Sequence, residues 1–163
     1  MEPRLTYGQA APGALRALLG LEEYVRSGGL ETPLLELVRT RASQLNGCAY
    51  CLDMHTKDAR AEGEREQRLY ALSAWRETPF YSERERAALA WTEAVTCISQ
   101  GTISEADYLD VRRQFSEREL VDLTIAIVAI NGWNRMAIAF RSVPGSYQRT
   151  PPGQSGGEQM EVG

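Results

Sequence analysis

The stretch Gln44-Leu45-Asn46-Gly47-Cys48-Ala49-Tyr50-Cys51-Leu52-Asp53-Met54-His55 holds two of the chain's three cysteines and its only histidine. Asn46-Gly47 breaks any helix arriving from upstream, so a new helix is expected to start at or near Cys48. At ~100° per residue, Cys48, Cys51 and His55 then fall within about 60° of one another on that helix. Two thiols and an imidazole share one face, close to a helix N-terminus whose dipole favours thiolate. The pattern is a redox constellation, and it requires a sharp turn followed by a helix.

The rest of the chain is compatible with such a site. Its 163 residues are enough for one domain with a sizeable core. The net charge of −4 is spread in mixed sign, with no basic run, so nucleic acid is not an expected partner. No charged and apolar leader opens the chain, and the apolar run Leu123–Ile130 is too short to span a bilayer. A cytoplasmic location without membrane association is expected. In a reducing compartment a C-x-x-C pair reads as catalytic or metal-binding before it reads as a structural disulfide. Cys97, in an apolar helical pattern, reads as a small buried hydrophobe.

Helical periodicity and caps organise the chain as all-α, with no strand pattern of period two. Residues 1–11 read as an extended arm. A helix is expected from Pro12 to Leu19, with a second helical piece to Arg26 and a break at Gly28-Gly29. Thr32 reads as an N-cap and Pro33 as the first helical residue. Leu34, Leu35, Val38, Ala42 and Leu45 line one face, and Glu36 falls on the opposite face, where a carboxylate is ordinarily solvated. Gly47 ends this helix. The cysteine helix runs from about Cys48 to Glu62, with Gly63 as its stop and Asp53, Lys57 and Arg60 solvated. A helix over 64–75 follows, then one opened by the capping box Ser82–Glu85 with Ala87, Trp91, Ala94, Val95 and Ile98 buried, and closed by Gly101. Ser104 caps a shorter helix to Phe115. A second capping box, Ser116–Glu119, opens the last helix, to about Phe140. Residues 120–130 of that helix are apolar on nearly every side, which predicts burial all round or at a subunit interface. Gly132 inside it marks a close helix contact. The domain is therefore placed at residues 1–143. The Pro, Gly and Ser content of 144–163 predicts a disordered C-terminal tail.

Spacing alone leaves several chemistries open for Cys48 and Cys51. A thioredoxin-like site needs βαβ context, which is absent. A zinc site needs more ligands than Cys48, Cys51, His55 and one carboxylate readily supply. A buried structural pair and a helical dithiol oxidoreductase both remain. The cluster Asn131, Trp133, Asn134 and Arg135 reads first as a helix–helix or subunit contact, with Arg135 pairing a carboxylate. A polar contribution to a pocket is the alternative. Trp75 and Trp91 read as core.

Glu36, Cys48, Cys51 and His55 form an E-x11-C-x-x-C-x-x-x-H pattern that resembles the AhpD-like alkylhydroperoxidases of the carboxymuconolactone decarboxylase superfamily. Arg41–Cys48, Glu83–Trp91 and Ala129–Arg135 are similar to flanking segments of that family, so the resemblance covers about residues 30–140. It implies an AhpD-like helical array that assembles as a homo-oligomer, a trimer or a hexamer. It implies a thiol-dependent peroxidase acting on a small hydroperoxide, without metal or other cofactor, and re-reduced by an external thiol or a lipoyl-type reductant. It implies Cys51 as the attacking thiol, Cys48 as proton donor and resolving thiol, and His55 as proton carrier between Glu36 and Cys51. Tyr50 stands where the best-studied peroxidases of that family carry a second histidine. The alternative function is a metal-binding or non-catalytic scaffold on the same fold.

Overall fold

The computed structural model describes residues 2–149, and within these every regular element is a helix. The elements are α1 (Tyr7–Ala10), α2 (Pro12–Ser27), α3 (Thr32–Asn46), α4 (Ala49–Ala61), α5 (Glu66–Ala71), α6 (Glu83–Thr96), α7 (Glu105–Gln114) and α8 (Glu117–Phe140). Short 3-10 turns lie at Leu72–Glu77 and Ile98–Gln100.

The fold is arranged around α3. Leu34, Leu35 and Val38 pack with Val25, Trp91, Phe115, Leu123 and Ile127 in the main core. Leu37 faces a second cluster with Ala59, Leu72, Trp75 and Leu89. Ala42 joins Cys48, Cys51, Ile130 and Ala137 in a third. Because α4, α6 and α8 all pack on it, α3 has almost no solvated side, and Leu34 through Val38 are buried without interruption. The amphipathic reading fails here for that reason: Glu36, expected in solvent, is 4% exposed.

Local signals placed most helix ends. Ser82 and Ser116 close the expected capping boxes with Glu85 and Glu119, and Ser104 forms a third with Asp107. Gly132 lies against Leu18, where a Cβ would meet the Leu18 side chain at 3.3 Å, so it marks the close approach of α2 and α8. Trp75 and Trp91 are in the core.

Other expectations are corrected. Glu31, not Thr32, is the N-cap of α3, and Thr32 is already helical. The helix expected over 64–75 is α5 followed by a 3-10 segment, with a kink at Ala74. α6 ends at Thr96, which leaves Ile98 59% exposed and Cys97 half-buried at the C-cap, neither in the core. α8 is not covered on all sides of this protomer: Leu123, Ile127 and Ile130 are buried, but Val121 and Val128 are exposed. At 24 residues and mean hydropathy 1.4, α8 has the length and composition of a membrane span, although its buried stripe is the core of this bundle.

Both ends of the described chain fold back. The N-terminal arm is not simply extended. Arg4 donates its backbone N–H to the Phe140 carbonyl at 2.9 Å, and the one-turn α1 buries Tyr7 beside the Phe140 ring. After α8, residues 144–149 run along α4 rather than away from it. Gly145 donates its N–H to Asp53 at 3.0 Å, Lys57 donates to the Tyr147 carbonyl, Tyr147 donates its hydroxyl to Asp58, and Arg149 pairs with Glu62. Asp53 and Lys57 are thus half-buried and partnered. Residues 150–163, the remainder of the expected tail, lie outside the described residues.

α3 must end abruptly for the cysteines to start a new helix. Gly47 does this at φ 69°, in the left-handed region that a side chain disfavours. Gly47→Ala should therefore lower the unfolding free energy by roughly 1–2 kcal/mol. Urea unfolding curves that superimpose on wild type would show that this turn is not under conformational demand.

Candidate active site

The new helix starts at Cys48, as expected, with Cys48 as its N-cap. Cys48 has an extended backbone, and its Sγ accepts the Cys51 backbone N–H at 3.4 Å, where serine or aspartate oxygen more often caps a helix. The turn at Gly47 and the cap together place the two sulfurs side by side, both cysteines being 1% exposed. Behind them lies a part-buried amide network. Asn46 donates to Asn131 at 2.9 Å and to Asn134 at 2.8 Å, while Asn134 donates to Ser43 at 3.0 Å. The Asn134 amide nearby favours the thiolate form of both cysteines.

The two thiols are pushed apart in acidity. The hydrogen bond from the Cys51 thiol lowers Cys48 most. Burial opposes this, and the Cys51 N–H, the Asn134 amide and the Tyr50 N–H add to it, leaving the Cys48 pKa at about 7. Cys51 is pushed up by the same shared hydrogen bond, by burial and by the charge on Cys48. The first negative charge on the pair therefore rests on Cys48, in line with its place at the helix terminus.

The acid–base pair lies one turn further along α4. His55 Nδ1 donates to Glu36 Oε2 at 2.9 Å, and both side chains are buried. Burial pushes the Glu36 carboxyl up, but His55 and Arg39 outweigh it, and the net shift is downward. Arg39 donates to Glu36 Oε1 and to Glu22 Oε2, each at 2.7 Å, and Glu22 in turn accepts from the Trp133 indole at 3.0 Å. With Nδ1 held by a carboxylate, the ring nitrogen that remains for proton exchange is Nε2. No hydrogen bond joins His55 directly to either sulfur.

All four expected residues are thus on facing sides of α3 and α4, as a sulfur pair and a carboxylate–imidazole pair. Three more groups belong to the site. Arg39 was discoverable as the i+3 partner of Glu36 on a helix. Asn134 sits in the stripe Ile127, Ile130, Asn134, Ala137, the polar member of an otherwise apolar row. It makes the expected helix–helix contact, bonding Asn46 and Ser43 of α3. Arg135, expected to pair a carboxylate, instead donates to the Asn131 carbonyl and side chain. Asp58 had no signal in sequence. Its carboxylate lies within 4.8 Å of ligand atoms of both Glu36 and His55, and burial raises its pKa.

That trio is also the group of ligand-type atoms the fold gathers for a cation, rather than the two thiols with His55. Arg39 already supplies a positive charge to Glu36 there, and the Tyr147 hydroxyl occupies Asp58. A second cation would be repelled by the first.

Aromatic groups close the sulfur side. Tyr50 and Trp133 pack against Cys48, Cys51, Ile130 and Ala137. Tyr7 is raised to about 12, chiefly by burial and then by Tyr50 and the two sulfurs, so it stays a neutral hydroxyl beside the dithiol.

Comparison with known proteins agrees with the helical fold. Residues 12–94 match the model of the carboxymuconolactone decarboxylase family. The chain is 42% identical over 139 residues to the uncharacterized protein YdfG of Bacillus subtilis, covering 85% of this chain and 95% of that one. The crystal structure of ATU0492 from Agrobacterium tumefaciens, a protein of unknown function described as an antioxidant-defence candidate of the AhpD type, superposes with TM-score 0.86 at 44% identity. That match covers 90% of this chain and all of the other, 100%. An uncharacterized peroxidase-related protein from Silicibacter sp. TM1040 is similar at TM-score 0.72 and 26% identity, over 81% of this chain and 70% of its own.

The acidity of the dithiol can be read directly. Thiolate absorbance of the reduced protein should titrate with a midpoint of about 7. Cys48→Ser should remove that step, and Cys51→Ala should move it upward, because Cys48 loses the side chain that lowers its pKa most. A midpoint in the ordinary thiol range near pH 8.5, insensitive to Cys51→Ala, would contradict that influence of Cys51 on Cys48.

Proposed function

The chain belongs to the carboxymuconolactone decarboxylase family, and on that premise we propose that it is a dithiol oxidoreductase that reduces small hydroperoxides. One observation carries the reading: two buried cysteines, with the Cys48 sulfur accepting the Cys51 backbone N–H, stand one helical turn from a buried Glu36–His55 pair. A dithiol holds the two electrons that O–O cleavage requires, and a histidine backed by a carboxylate moves the protons.

In the proposed cycle the Cys48 thiolate takes the proton of Cys51. The Cys51 thiolate, the sulfur of higher intrinsic pKa and hence greater nucleophilicity, attacks the terminal oxygen of the hydroperoxide. An S–O bond forms, the O–O bond breaks, and the alkoxide leaves as an alcohol with the proton from Cys48. Cys48, again a thiolate, then attacks the sulfenic sulfur of Cys51. The S–O bond breaks, hydroxide leaves as water with a proton from His55, and a Cys48–Cys51 disulfide remains. Glu36 stabilises the charged imidazole and fixes its tautomer. An external thiol or lipoyl-type dithiol restores the reduced pair and the proton on His55. We place this chemistry in the reducing cytoplasm, in a homo-oligomer. The exposed Val121 and Val128, on one face of α8, support an apolar contact between subunits.

Single substitutions separate the roles. Cys51→Ser should abolish oxidation by hydroperoxide. Cys48→Ser should permit one oxidation, leave a trappable sulfenic acid on Cys51, and stop turnover. His55→Gln should slow the reaction by about 10²–10⁴. Glu36→Gln should act in the same direction and less, and should add little to His55→Gln, since the two act as a unit. A sulfenic acid on Cys48 in Cys51→Ser would reverse the order of the sulfurs. An unreactive wild type would sink the peroxidase reading.

A further inference from the structure

Thr40 is 1% exposed, lies in the middle of α3, and its Oγ1 has no hydrogen-bond partner. A threonine inside a helix ordinarily donates its hydroxyl to the carbonyl one turn back. Thr56, Thr92 and Thr124 of this chain all do so, to Leu52, Ala88 and Leu120, each at 2.7 Å. Thr40 does not, although the geometry of an α-helix offers it the same acceptor. A buried hydroxyl without a partner is costly, and it survives where something other than the protein satisfies it.

Its position says what that is. Residues 36, 40 and 43 share one face of α3, and all three are buried. At one end of this row Glu36 holds His55. At the other, the Ser43 carbonyl accepts the backbone N–H of Cys48 at 3.0 Å, and its hydroxyl accepts from Asn134. Thr40 stands between the imidazole end and the sulfur end, and it is the member of the row whose polar atom is unmatched.

We propose that the Thr40 hydroxyl binds the peroxide oxygen of the substrate between His55 and Cys51. This rests on the peroxidase reading above. As the Cys51 thiolate forms its bond to the terminal oxygen and the O–O bond breaks, negative charge gathers on the leaving oxygen. The hydroxyl donates to that oxygen and gains strength as the charge develops, while the departing alkoxide still takes its proton from Cys48. Thr40 itself neither gains nor loses a proton.

The test compares wild type, Thr40→Val, which keeps the shape and removes the hydroxyl, and Thr40→Ser, which keeps the hydroxyl. Three quantities are read on the full chain: thermal unfolding, single-turnover oxidation by tert-butyl hydroperoxide, and alkylation of the reduced dithiol by iodoacetamide, which needs no oxygen to be held. Thr40→Val is expected to melt at or above the wild-type temperature, since an unmatched polar atom has been removed. Its oxidation should slow by about tenfold or more while alkylation is unchanged, and Thr40→Ser should return oxidation to near the wild-type rate. Equal oxidation rates in Thr40→Val and wild type would overturn the proposal. So would a parallel loss of oxidation and alkylation, or a variant that does not fold while Thr40→Ser folds and oxidises no faster than a packing defect allows, because each marks a packing role. A wild type inert to the hydroperoxide while alkylated normally would remove the peroxidase reading and this proposal with it. A reactive wild type with an unaffected Thr40→Val removes this proposal alone.

Discussion

A carboxylate buried at the centre of a helical bundle is the constraint from which the rest follows. Glu36 is on α3, the helix that every core cluster touches, and its charge must be matched where water does not reach. The matching is divided between His55 on α4 and Arg39 on α3, and Arg39 reaches on to Glu22 of α2. Three helices are thereby held in register by one set of ion pairs. The same contacts orient the imidazole, so the support of the fold and the preparation of the site are one arrangement. Removing a single partner would strand a buried charge, which costs far more than the pair contributes.

The sulfurs depend on that frame but are tuned locally. Gly47 stops α3, Cys48 caps α4, and the backbone N–H of Cys51 points at the Cys48 sulfur. A cap position that usually holds an oxygen here holds a thiol, and the donors that satisfy the helix end also stabilise a thiolate. The resemblance in sequence implies Cys51 as the attacking sulfur, whereas the surroundings put the resting charge on Cys48. The proposed cycle joins the two statements: in it the acidic sulfur serves as the base for the less acidic and more nucleophilic one.

Much of this was legible without coordinates, where the information was confined to a turn or two of chain. The capping boxes at Ser82 and Ser116, the stop at Gly47 and the facing of Cys51 toward His55 follow from neighbours within a few residues. What failed was inference that needed to know the surroundings of a helix. Amphipathic periodicity gives a helix such as α3 one wet side, and α3 has almost none. Cys97 and Ile98 were assigned to the core because the helix was carried one turn too far.

By itself the sequence determined the helical class, the turn before Cys48, the nearness of Cys48 to Cys51 and, through the spacing of Glu36, Cys48, Cys51 and His55, the family. These depend on backbone periodicity and on residues close in the chain, where the choices are few. Only the tertiary structure decided that Asn134, 88 residues beyond Asn46, bonds Asn46 and Ser43 next to the cysteines. The same holds for Asp58, which meets the Glu36–His55 pair and is held by Tyr147, 89 residues away. It alone left the Thr40 hydroxyl unmatched inside the bundle. Which side chains become dry together is set by how helices pack, and no pattern along one helix carries that information.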